Sequence, residues 1–152
     1  MEFEVQVAGL PVPQGSTRAF SRGGRIHTTN DPSGRIERWR GDIRTAVRDV
    51  APAAPASDPV AMRMSFRMPR PKSHFLPATK TRPEPELRLD APHWAPSGSD
   101  VDKLARAVLD ALTGVVYLDD SQVVSIVAAK RYAAADEGPG LRLEVRTAQA
   151  PA

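Results

Sequence analysis

The sequence predicts an α+β fold: a small mixed β-sheet of about four strands with two main helices packed on one face, in the order β-α-β-α-β-β. Three observations carry it. Apolar and polar residues alternate in three short stretches, apolar residues recur at helical spacing in two longer ones, and proline, glycine and serine gather between them. At 152 residues the chain is long enough for one domain with its own core, expected over 1–148 with a frayed tail at 149–152.

Phe3, Val5 and Val7 alternate with Glu2, Glu4 and Gln6, which marks a half-buried first strand ending at Gly9 and the Pro11/Pro13 pair. From 14 to 34 periodicity disappears and Gly, Ser, Thr and Arg dominate, so this stretch reads as a long exposed basic loop carrying Arg18, Arg22 and Arg25. Helical spacing follows from Ser33 to Val50, with Ile36, Trp39, Ile43, Ala46 and Val47 on one face, until Ala51-Pro-Ala-Ala-Pro ends it. Between Pro59 and Met68, Val60, Met62, Met64, Phe66 and Met68 alternate with Ala61, Arg63, Ser65 and Arg67, a second strand whose methionine stripe belongs to the core.

Seven of the fifteen prolines fall within 69–98, beside Arg70, Lys72, Lys80, Arg82 and Arg88, which predicts a second long basic loop crossed by neither helix nor sheet. Val101, Leu104, Ala105, Val108, Ala111 and Leu112 then describe a second helix, with Gly114 as its C-cap. A turn at 118–121 leads into a strand over 122–132. After a turn at Asp136 to Gly140, Leu141, Leu143 and Val145 alternate with Arg142, Glu144 and Arg146 as the last strand.

The absence of cysteine excludes thiol catalysis, iron–sulfur clusters and cysteine-bound zinc. No run approaches the roughly 18 apolar residues that a bilayer span needs, and Met1 to Gly9 has no apolar signal core, so a soluble, cytoplasmic chain without a membrane partner is expected. The net charge of +3 hides an asymmetry: residues 1–82 hold 14 basic and 7 acidic side chains, whereas 83–152 hold 7 and 11. Seventeen of the 21 basic residues are arginine, whose forked donors suit phosphate. A basic half for phosphates and an acidic half for other work are thus the first functional expectation.

Asp100, Asp102, Asp110, Asp119 and Asp120 fall within 21 residues. Inside one helix Asp100 and Asp102 would point about 200° apart, so they converge only if Asp100 lies at or before the N-cap, which Ser97-Gly98-Ser99 permits. A turn at Gly114 would then return Val115 to Leu118 and deliver Asp119-Asp120 beside the same helix N-terminus, where three carboxylates hold Mg²⁺ with room for water and phosphate. Plainer roles stand beside this one. Asp100 is a good N-cap, Asp102 suits the helix dipole, Asp102, Arg106 and Asp110 have the spacing of an ion-pair ladder, and Asp119-Asp120-Ser121 is ordinary turn chemistry. His27, His74 and His93 lie in loops at no metal-ligand spacing, and there is neither a phosphate-binding Gly-Lys-Ser/Thr loop nor a nucleophile-elbow serine.

The run Asp100-Val-Asp-Lys-Leu-Ala-Arg-Ala-Val-Leu-Asp-Ala-Leu-Thr-Gly-Val-Val-Tyr-Leu-Asp-Asp-Ser-Gln-Val-Val closely resembles the RusA family of Holliday-junction resolvases, especially its phage and prophage branch. The likeness continues to Lys130-Arg131-Tyr132, with weaker echoes in Gly9-Leu-Pro-Val-Pro-Gln-Gly and Pro69-Arg-Pro-Lys-Ser. It implies a homodimeric endonuclease, dependent on Mg²⁺ with Mn²⁺ as the alternative ion and no organic cofactor, that makes paired nicks in four-way junction DNA. It also implies Asp100, Asp102 and Asp120 as catalytic carboxylates and metal ligands, with Asp119 as a supporting ligand. Where the family usually has a catalytic lysine four positions after the second aspartate, this chain has Arg106, which keeps the charge but cannot readily release a proton. Where the family places Lys-Pro before the first aspartate, this chain has Gly98-Ser99. The phosphate-binding set expected with this reading is Arg18, Arg22, Arg25, Lys72, Lys80, Arg82 and Lys103. A junction-binding protein that does not cut, and a nuclease for flaps or other branched DNA, are the alternatives.

Overall fold

The computed structural model describes residues 1–15, 18–29 and 33–152, with side chains described outside the strands of 18–29. Among the described residues eight strands and two α-helices run in the order β1 (Glu2–Ala8), β2 (Arg18–Arg22), β3 (Arg25–Thr29), α1 (Arg35–Arg48), β4 (Val60–Met68), β5 (Phe75–Leu76), β6 (Glu86–Leu87), α2 (Val101–Leu112), β7 (Val123–Tyr132) and β8 (Gly140–Thr147). Four of the strands form one mixed sheet in the order β1-β8-β4-β7, antiparallel except where β4 runs parallel to β7. The expected α+β architecture, with its four sheet strands and two helices in the expected order, is what the chain adopts.

The alternation read from the sequence decides which face of the sheet is buried. Val60, Met62, Met64 and Phe66 of β4 and Leu141, Leu143 and Val145 of β8 meet Trp39, Ile43 and Val47 of α1 and Leu104, Val108, Ala111 and Leu112 of α2 in a single core. The opposite face carries charge. There Arg142 grips Glu4 through two bonds of 2.8 and 2.9 Å and also approaches Glu144, while Arg67 donates to Gln6. Such exposed pairs add little stability but keep this face wet and polar. Gly140 lets β8 close on its neighbours, since a Cβ there would run into the Val7 carbonyl oxygen and the Arg67 guanidinium.

Several expected boundaries shift. The stretch 14–34 is not one loop: β2 and β3 pair as an antiparallel hairpin in which Arg22 faces Arg25 across Gly23-Gly24. Both glycines have positive φ, 60° and 76°, the backbone a two-residue hairpin turn of the primed kind requires. The proline-rich stretch 69–98 likewise contains a 3₁₀ turn at Lys72–His74 and a two-residue ladder between β5 and β6. Prolines keep that pairing short without preventing it. Helix α1 ends before Val50 because the Val47 carbonyl accepts both the Val50 and Ala51 N–H groups. Thr113 is the C-cap of α2, and Gly114, at φ 76°, follows it. Among the described residues no helix is long and apolar enough to cross a membrane.

Candidate active site

Helix α2 starts near the end of β7. Its N-cap is Asp100, in extended backbone (φ −68°, ψ 138°), and its side chain makes no capping hydrogen bond. The condition for Asp100 and Asp102 to share one end of the helix is therefore met, and the Asp100 carboxylate is not consumed by capping; it pairs instead with Lys103 Nζ at 3.1 Å. The segment before it is tied down by Lys130, near the end of β7, whose Nζ donates to the carbonyls of Ser97 (3.1 Å) and Ser99 (2.8 Å). Asp102 lies in the first turn and Arg106 one turn later, both exposed.

The ion-pair ladder does not form. Asp110 is taken by Arg40 of α1 at 3.1 Å, an arginine that also bonds Gln14, so Asp110 ties the two helices together. Neither Asp102 nor Arg106 makes an ion pair among the described residues. One exposed carboxylate and one exposed guanidinium thus stand a helical turn apart with no evident part in holding the fold.

Asp119 and Asp120 are not beside that helix N-terminus. After Gly114 the chain packs against the C-terminal half of α2: Val116 N–H donates to the Leu112 carbonyl, and the buried Tyr117 hydroxyl donates to the Leu109 carbonyl at 2.9 Å. Burial pushes the Tyr117 phenol above its ordinary range, and the Asp120 and Asp110 carboxylates push the same way, which places Asp120 near that end. Ten residues of helix at about 1.5 Å each separate Asp102 from Leu112, so the two aspartate pairs lie on the order of 15 Å apart. Strand β7 runs back in the opposite direction to α2, starting beside Asp120 and carrying Lys130 towards Ser99. Accordingly, among the described residues no three His, Asp or Glu side chains come close enough to hold a metal ion. Within one chain the expected three-carboxylate magnesium site is not assembled.

The turn bearing Asp119 and Asp120 is built with care. Asp119 caps the 3₁₀ turn Asp120–Gln122 by accepting from Ser121 N–H at 2.8 Å, and the Ser121 hydroxyl, then this N–H, hold its carboxyl below the ordinary range. Gln122, absent from the sequence-based site, completes the box. Its Oε1 accepts from Leu118 N–H and Asp119 N–H, both at 2.9 Å, while its Nε2 donates to the Ala56 and Asp58 carbonyls. The Asp-x-x-Gln spacing of a capping box was the signal for it. Asp119 is therefore spent on shaping the turn, and Asp120 is the one presented.

The expected phosphate-binding residues divide similarly. Lys72 and Lys80 make no ion pair among the described residues, whereas Arg82 pairs with Glu86 (3.4 Å) and donates to the Pro77 carbonyl, and Lys103 is paired with Asp100. The side chains of Arg18, Arg22 and Arg25 lie outside the described residues, although their backbone places all three on the β2–β3 hairpin.

Strand β7 forms an edge of the sheet. Among the described residues only Trp94, opposite Arg131, bridges its outer side, leaving the stretch from Val124 to Ala128 open. Val124, Ile126 and Val127, together with Leu118, expose large apolar surfaces along that edge.

Comparison with known proteins adds two findings. The family model for the endodeoxyribonuclease RusA matches residues 8–146. A Bacillus subtilis (strain 168) protein described as the uncharacterized protein YqaN is 31% identical over 144 residues, covering 95% of each chain.

Proposed function

Since the chain belongs to the RusA endodeoxyribonuclease family, we propose that it cuts the phosphodiester backbone of four-way DNA junctions, as a homodimer whose two sites are each completed across the two copies. The observation that carries this reading is the division of the carboxylates into an Asp100/Asp102 pair and an Asp119/Asp120 pair at opposite ends of α2 and β7. Two-fold pairing of β7 edges covers Val124, Ile126 and Val127 and sets the start of one β7 beside the end of the other. Asp119–Asp120 of each copy then comes to Asp100–Asp102 of its neighbour.

A divalent cation such as Mg²⁺ held by such a set would activate water and neutralise charge on the phosphate. The chain's own side chains do the rest. Lys130 fixes the approach to Asp100, Gln122 and Asp119 hold Asp120 in place, and Arg106 stabilises negative charge developing on the phosphate without giving up a proton. Two such sites serve two strands, as paired nicks require.

A junction-binding role without cleavage is the second reading, favoured by the distance between the carboxylate pairs in a single chain. Incubation with labelled four-way junction, flap and linear duplex, each with Mg²⁺ or with EDTA, separates the readings. Paired symmetric nicks in the junction that need Mg²⁺ support resolution. Tight junction binding without nicks supports the second reading, and preferential flap cutting supports a different branched-DNA nuclease.

A further inference from the structure

We propose that Trp94 is a stacking platform for an unstacked nucleobase at the branch of branched DNA, on the segment that leads to Asp100 and Asp102; this deepens the reading above and rests on it. Trp94 is 62% exposed, an unusual position for the largest apolar side chain. It is nevertheless held firmly. Pro92 and Pro96 bracket it, Ala95 is buried at 2%, its backbone bridges Arg131 of β7, and the neighbouring His93 carbonyl accepts from Tyr132 N–H at 2.9 Å. The His93 ring meets the indole edge to face at 4.6 Å. An aromatic surface fixed in this way loses little conformational freedom when it meets a ligand.

Charge points to the ligand's class. Arg70 donates to the Pro92 carbonyl at 2.8 Å, and Lys130 to those of Ser97 and Ser99, so two cations brace the segment from either side of Trp94. Lys130 donates to carbonyls, Arg70 to the Pro92 and Ala133 carbonyls beside the His74 and Tyr132 rings, and among the described residues neither forms an ion pair with a carboxylate, whereas Arg131 is neutralised by Glu137. An exposed indole on a segment braced by cations that pair with no carboxylate suits a π-face carried on a polyanion, as in single-stranded nucleic-acid sites. A base stacked inside a duplex offers no free face, so the platform selects DNA whose bases are unstacked, as at a branch point. The bridge to Arg131 and the Lys130–Ser99 bond arise from adjacent residues of β7, so the segment that carries Trp94 is tied to the end of β7 from the platform to the residue before Asp100.

The test uses the full chain in EDTA, so that no cutting is required, with a four-way junction carrying 2-aminopurine at the branch and the same sequence as linear duplex. The 2-aminopurine emission should change on binding to wild-type protein. Trp94→Ala should abolish that change and weaken junction binding roughly 5- to 150-fold while leaving duplex affinity within about twofold, and Trp94→Phe should retain most of both signals. Thermal unfolding of each variant checks the fold. Equal loss on junction and duplex, or an unchanged emission response in Trp94→Ala, overturns the proposal. A Trp94-dependent response from a protein that never nicks with Mg²⁺ keeps the platform and removes the nuclease reading.

Discussion

Mixing two inactive variants should restore cutting if the carboxylates meet only across a dimer. Asp102→Asn and Asp120→Asn each damage both composite sites of their own homodimer. When the two exchange subunits at random, about half of the dimers are mixed; in each of these one site collects both substitutions and the other keeps every carboxylate, so roughly one quarter of wild-type sites recover. The geometry leaves no equivalent route within one chain. Ligand oxygens sit about 2.0–2.6 Å from Mg²⁺ or Ca²⁺, whereas helix α2 separates Asp102 from the Asp119–Asp120 turn by on the order of 15 Å. The assay is a four-way junction labelled on one strand at a time, cut with Mg²⁺ and resolved on a denaturing gel after equal amounts of the variants are co-refolded. Single nicks at about a quarter of the wild-type site count, with each parent near background, is the predicted result. A mixture as inactive as its parents refutes the composite site.

Gln122→Leu leaves two exposed backbone N–H groups without their acceptor, which should cost about 0.5–1.5 kcal/mol in urea unfolding and lower cleavage more than junction affinity, because it is Asp120 that loses its support. Gly140→Ala should lower the melting temperature by several degrees, since the new methyl group meets the Val7 carbonyl at a closed strand interface. The Glu137 carboxyl is held down to about 2, first by the Arg131 guanidinium and then by Ala134 N–H. A depressed acid stabilises the fold above its free value near 4.5, and that stabilisation is lost as pH falls towards 2. Melting temperature should therefore drop more steeply across that window in wild type than in Glu137→Gln; parallel curves would contradict the assignment.

Much of the fold was legible because burial writes a period into the chain. The 3.6-residue recurrence from Leu104 to Leu112 marked α2 end to end, and the alternation of Val60 to Met68 marked β4 with the correct buried face. The hairpin of β2 and β3 was not recognised because its strands lack a clean apolar alternation; its one strong signal, Gly23-Gly24 between Arg22 and Arg25, was absorbed into a glycine-rich loop. The candidate site was half legible. Asp100, Asp102 and Arg106 lie together on one helix end, where local spacing is sufficient to place them. Asp119 and Asp120 were misplaced because spacing after Gly114 does not say which way the chain leaves a helix, and the Tyr117–Leu109 bond that decides it joins residues with no sequence signature. Asp110 shows the reverse: a plausible member of an acidic cluster that packing assigns to Arg40.

The central claim is that Asp102 serves the cutting of junction DNA and not the folding of α2. The direct measurement is Asp102→Asn against wild type on one four-way junction, with nicking followed in Mg²⁺ and binding followed in EDTA. Paired nicks should fall to background while junction affinity is kept or rises, since a negative charge near DNA has been removed. A variant that nicks at the wild-type rate would contradict the claim.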